Sequence, residues 1–130
     1  MTHLELTNGQ KSNKVINEAI NRAVKYHSEG NLKQANQIYE EILKIDSRNS
    51  IALHLNGVIA FQYGKNDQAI ELIGKSIIIN PDYSEAYNNL GNVFKVKKNL
   101  QQALVCYEKA IKLNPNYSEA YYNLGNAFFE

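Results

Sequence analysis

Apolar side chains recur along this chain at helical spacing, in blocks separated by short polar links. In 84–97 the stripe is Tyr87, Leu90, Gly91 and Phe94, at i, i+3, i+4 and i+7. In 100–113 it is Leu100, Ala103, Leu104, Tyr107, Ala110 and Ile111. The link Lys97-Lys98-Asn99 is too short for anything but an antiparallel pair of helices. Earlier links carry Gly30-Asn31 and Gly64-Lys65, which suit a left-handed helix C-terminus. Asn80-Pro81 and Asn114-Pro115 close the second helix of a pair, because proline biases the preceding residue away from the helical region.

The pairs repeat. Gly57, Gly91 and Gly125 are each 34 apart, and so are Ala35, Ala69 and Ala103. Pro81 and Pro115 share that spacing, as do Tyr83 and Tyr117. Residues 82–94 read DYSEAYNNLGNVF and 116–128 read NYSEAYYNLGNAF, identical at ten of thirteen positions. The units run 16–49, 50–83 and 84–117, with a partial unit at 118–130. Small residues such as Gly91 and Ala103 mark places where helices approach closely. The first two units diverge: Ser47 replaces the proline, Arg22 and Asn56 stand in the register of Leu90 and Leu124, and Ser76 stands in that of Ala110. Residues 1–14 carry no stripe and are expected to form an N-terminal tail before a repeat domain at 15–130.

This register of small residues, aromatics and proline resembles the tetratricopeptide repeat family. The resemblance implies an all-α solenoid of antiparallel helix pairs, a right-handed superhelix of about three and a half repeats, with the first helix of each pair lining a concave groove.

Composition narrows the function. The 130 residues are 44% hydrophobic and 21% charged, which is a foldable balance. Fourteen basic against thirteen acidic residues leave +1, without the basic excess that nucleic acid demands. No apolar run is long enough to cross a membrane, and the N-terminus lacks the pattern of a secretory signal. The lone Cys106 excludes an internal disulfide and points to a reducing, cytoplasmic setting. The last unit presents Tyr121, Leu124 and Phe128 with no second helix to cover them. That stripe implies a fragment of a longer protein, with homo-oligomer pairing between copies as a consequence.

Catalytic and cofactor signals are weak. Residues 69–76, AIELIGKS, loosely fit a phosphate-binding loop, but they fall within a helical stripe where backbone N–H groups are already bonded. His3, His27 and His54 are too scattered for a metal set. Cys106 has no histidine at catalytic spacing and reads as an inert thiol. No cofactor is expected, and the chain does not read as an enzyme.

The informative face lies opposite the packing stripe. On the third and fourth first helices it carries Asn88, Asn89, Asn92, Asn123 and Asn126; on the second it carries Ile51, Leu55 and Val58, with His54 beside them. A carboxamide offers one acceptor and one donor group, matching a peptide backbone whatever its sequence. The ladder looks like the asparagine ladder of O-linked N-acetylglucosamine transferases, and that resemblance implies a grip on extended peptide. The apolar half is expected to pack against the neighbouring first helices or under the N-terminal tail through Leu4 and Leu6, the alternative being that it receives a partner's hydrophobic side chain. Lys95 alone lies near the rim, so the paired cations that clamp a chaperone's C-terminal carboxylate are not expected. The candidate peptide-binding groove is therefore Asn88, Asn89, Asn92, Asn123, Asn126, His54, Leu55 and Lys95. The function expected is a non-catalytic protein- or peptide-binding scaffold. The alternatives are the N-terminal substrate-docking part of a larger glycosyltransferase-like enzyme, and a homo-oligomerising structural scaffold.

Overall fold

A computed structural model describes residues 8–129 of the chain. The elements are α1 (Asn8–Ser28), α2 (Leu32–Ile45), α3 (Ser50–Gln62), α4 (Asn66–Ile79), α5 (Ser84–Val96), α6 (Leu100–Leu113) and α7 (Ser118–Phe128), with no strand among the described residues. The fold class is the all-α repeat of helix pairs expected from the 34-residue register, three pairs and a further first helix. Residues 8–14, expected in the tail, belong to α1. They contain no proline, so the helix that Ile16 and Ile20 anchor can extend over polar residues with no apolar stripe of its own. Leu4 and Leu6 lie outside the described residues.

The described residues divide into two compact units, the first ending at Ser47 and the second beginning at Arg48. In the first, α1 pairs with α2. Ile16, Ile20 and Ala23 on α1 and Ala35, Tyr39 and Ile42 on α2 are buried, the same i, i+4, i+7 spacing on both helices. Arg22, in the register of Leu90, is exposed.

In the second unit, α3 pairs with α4 and α5 with α6, while α5 also packs on α4 and α7 on α6. One core cluster joins Ala60, Ala69, Ile73, Ala86, Leu90, Val93 and Cys106; another joins Ala103, Tyr107 and Ala127, with Leu124 packed against it. The contact that sets each pair is a small residue on the first helix against a bulky one 16 residues later. A Cβ on Gly57 would stand 2.6 Å from Ile73 Cγ1, and one on Gly91 would stand 2.6 Å from Tyr107 Cε1. Nothing lies within 4 Å of a Cβ on Gly125. Tyr107 is fully buried, and its hydroxyl donates to Asn92 Oδ1 at 2.7 Å. In the same register of the first unit, Val24 replaces the asparagine, and the Tyr39 hydroxyl is buried with no partner. The second repeat removes both halves of the pair, with Val58 and Ile73.

The links inside the three pairs close alike. Asn31, Lys65 and Asn99 N–H groups donate to Tyr26, Ala60 and Phe94 carbonyls at 2.8, 2.9 and 2.9 Å. This six-to-one bond needs a left-handed residue between. Gly30 (φ 81°) and Gly64 (φ 77°) supply it without strain, whereas Lys98 (φ 65°) does so at a cost on the order of 1 kcal/mol. Asparagine supplies many local bonds: Asn49 and Asn99 cap α3 and α6 through the Ala52 and Gln102 N–H groups. Asn80 and Asn114 bend the chain at the Asn-Pro steps by accepting from Asp82 and Asn116.

Two predictions follow from these contacts. Gly91→Leu should lower stability by about 2–3 kcal/mol through overpacking against Tyr107, while Gly125→Ala, in the same register, should raise it by about 0.5–1 kcal/mol; urea melts of the two variants must move in opposite directions. Val24→Asn should gain about 1 kcal/mol by giving the Tyr39 hydroxyl an acceptor, and the gain should vanish in a Tyr39→Phe background.

Candidate functional site

The first helices of the second unit, α3, α5 and α7, are joined by side-chain bonds between residues 35 apart. Asn89 Nδ2 lies 2.7 Å from His54 Nε2, and Asn123 Nδ2 donates to Asn88 Oδ1 at 3.0 Å. The rung is thus the same twice, each reaching from one first helix to the next. Helical register explains it. His54 and Asn88 hold one position of the repeat, Leu55, Asn89 and Asn123 the position after it, and adjacent first helices bring the two columns together.

This corrects two of the expected groove residues. Asn88 is fully buried and His54 nearly so, at 0% and 3% exposure, and neither can offer its side chain to a peptide. An axial projection of one helix puts them at the edge of its far face, but the next first helix covers that edge. His54 is further enclosed by the Tyr83 ring, edge-on at 4.7 Å. Asn89, Asn92, Asn123, Asn126, Leu55 and Lys95 remain half-buried on the outer side of this layer. The Leu124 side chain, expected to lie uncovered, is half-buried against α6, while Tyr121 and Phe128 are exposed.

The network sets what each carboxamide still presents. Asn89 and Asn123 direct their amide nitrogens into the rungs, which leaves their carbonyl oxygens as acceptors. Asn92 has its oxygen tied to Tyr107, which leaves its NH₂ as a donor. An acceptor and a donor therefore stand one turn apart on α5. Asn92 also lines a cavity of about 490 Å³ with Phe61, Lys95, Val96 and Lys98. Lys98 was absent from the expected set because it sits in the link and not on the helix face. The break in the glycine pattern at 30, 64 and 98 is the signal that marks it.

Burial governs the titrating groups. It lowers the His54 pKa to about 4 and pushes the Cys106 thiol up to about 11, so the thiol stays protonated near neutral pH. Cys106 borders a second, apolar crevice of about 490 Å³ between α4, α5 and α6. The phosphate-loop look-alike at 69–76 lies wholly inside α4. Among the described residues, no group of three His, Cys, Asp or Glu side chains could hold a metal, and no helix is long and apolar enough to cross a membrane.

Tetratricopeptide repeat models match residues 26–93, 84–117 and 106–130. The chain belongs to the tetratricopeptide repeat family. Among solved structures, an O-GlcNAc transferase from Thermobaculum terrenum superposes with a TM-score of 0.89 at 23% identity, over 95% of this chain and 23% of that one. This tetratricopeptide chain thus spans under a quarter of that transferase. The first repeat domain of Spaghetti (RPAP3), bound to the HSP90 peptide SRMEEVD, gives 0.82 at 22% identity over 88% of this chain and 90% of that one. A MamA structure gives 0.79 at 21% identity over 97% and 85%. No curated protein sequence matches the chain.

His54 should make the fold acid-sensitive. The unfolded histidine takes up a proton below about pH 6.5, while the buried one resists until about pH 4. The unfolded state then binds more protons, so stability falls as pH drops through that window, by roughly 3 kcal/mol in all. His54→Asn should flatten the difference between denaturant melts at pH 7 and pH 4.5.

Proposed function

We propose that this chain is a non-catalytic scaffold that binds an extended segment of a partner protein along α3, α5 and α7. The observation that carries the reading is the orientation of the half-buried carboxamides. Asn89 offers an oxygen and Asn92 an NH₂ group one turn apart, the complement of a peptide N–H and C=O. Asn123 and Asn126 repeat the spacing on α7. Asn89, Asn92 and Asn123 are each oriented by a bond to the protein, so little of their side-chain freedom is lost on binding. Because the contacts are to backbone, they tolerate many sequences; selectivity then falls to Leu55 and the cavity around Phe61 and Lys95. A neighbour of similar fold binds the peptide SRMEEVD, which is consistent with a peptide-binding role here.

A second reading, a substrate-docking segment of a larger glycosyltransferase-like enzyme, is favoured by the likeness to the Thermobaculum terrenum transferase. Glycosyl transfer by the full reading frame, lost when the segment is deleted, would select it.

The test pans a phage-displayed library of random dodecapeptides against the chain. The variant Asn92→Val/Tyr107→Phe/Asn126→Ala removes groove donors without stranding the buried hydroxyl, reproducing the apolar choice at Val58 and Ile73. Its melting temperature should stay within a few degrees of wild type, and selected peptides should bind about tenfold more weakly. Single N-methylation of a peptide amide should weaken binding comparably. Peptides that bind the variant as well as wild type would sink the reading.

A further inference from the structure

The strained residue in the α5–α6 link calls for a reason. Glycine closes the same turn at 30 and 64, so the backbone does not require lysine at 98. The helix dipole favours a cation in the last turn of α5, but Lys95 already stands there. Lys97 is engaged otherwise, paired with Asp67 of α4. Lys98 lines the cavity of about 490 Å³ together with Lys95, Asn92, Phe61 and Val96. The polar side chains that line it are those of Lys95, Lys98 and Asn92, and the Asn92 amide oxygen is held by Tyr107. The remaining walls are apolar. Cationic side chains and an amide donor, beside an aromatic ring and a valine, favour an occupant that accepts and that carries an apolar neighbour.

We propose that this cavity receives an aspartate or glutamate side chain of the bound segment, with an adjoining large apolar side chain resting on Phe61 and Val96. The left-handed Lys98 is the specificity-determining residue. This rests on the peptide-binding reading above and names the partner chemistry at one of its positions. The carboxylate belongs to a side chain within an extended segment, and no free chain terminus is needed.

The dodecapeptide library separates the two ideas when wild type and Lys98→Gly are panned in parallel, with the peptides fused at their C-termini so that only side-chain carboxylates are offered. Lys98→Gly restores the residue found at 30 and 64, so it should melt no lower than wild type. Wild-type binders should carry Asp or Glu beside Leu, Ile or Phe, and Lys98→Gly binders should keep the apolar residue and lose the acid. In an acetylated, amidated copy of the leading wild-type binder, exchanging the acid for its amide should weaken binding about fivefold to wild type in low salt, and less than twofold to Lys98→Gly. Binders with no acid preference, or with the same preference in both proteins, would overturn this inference and leave the peptide-binding reading standing. No binders to either protein would remove both.

Discussion

The close approach of a glycine to a bulky side chain 16 residues later determines how each helix pair of the second unit is built. At Gly91 the Tyr107 ring occupies the space a Cβ would need, and at Gly57 the Ile73 side chain does. Two helices that near leave no room for water, so the groups trapped there must be apolar or bonded. The third repeat meets the demand with a phenol and Asn92, the second with Ile73 and Val58. The first keeps the phenol without the amide and leaves a buried hydroxyl unpaired. The same geometric slot is therefore filled with three different degrees of polar satisfaction within one chain.

A second constraint acts between repeats. Residues 35 apart meet across neighbouring first helices, and in the second unit both meetings are polar. These rungs are buried on one side, where His54 Nδ1 has no partner. A rung with an unsatisfied end is a weak source of stability, but it fixes the lateral register and the rotamers of Asn89 and Asn123. Orientation, more than energy, is what the rungs contribute to the outer surface.

The sequence made the period, the helix pairing, the glycine contacts and the left-handed links legible, because each depends on backbone geometry or side-chain volume repeated at 34. The depth of individual polar residues was not legible in the same way. Asn88 and His54 sit at the edge of a projected helix face, and whether that edge is wet depends on a neighbour one whole repeat away. The extension of α1 to Asn8 was hidden for a different reason: a polar helix end has no stripe to betray it. Lys98 was visible only as an exception, the one link residue that breaks the glycine column. A pattern search reads agreement between repeats more easily than it reads a single deviation.

The deviations are nonetheless where repeats of one fold can acquire different surfaces. Every repeat must supply the small residue, the bulky partner and the left-handed turn, so those columns carry little information about a ligand. The column that holds Val24, Val58, Asn92 and Asn126 changes from apolar to amide along the chain. At Asn92 the core partner Tyr107 holds the amide oxygen and leaves the NH₂ to donate. Packing in the interior thus decides which hydrogen-bonding group the exterior shows. A substitution at Tyr107 would alter the surface without touching it, since an Asn92 released from the phenol could present either end. The donors of this face are in that sense a property of the α5–α6 pair and cannot be assigned to the asparagines alone.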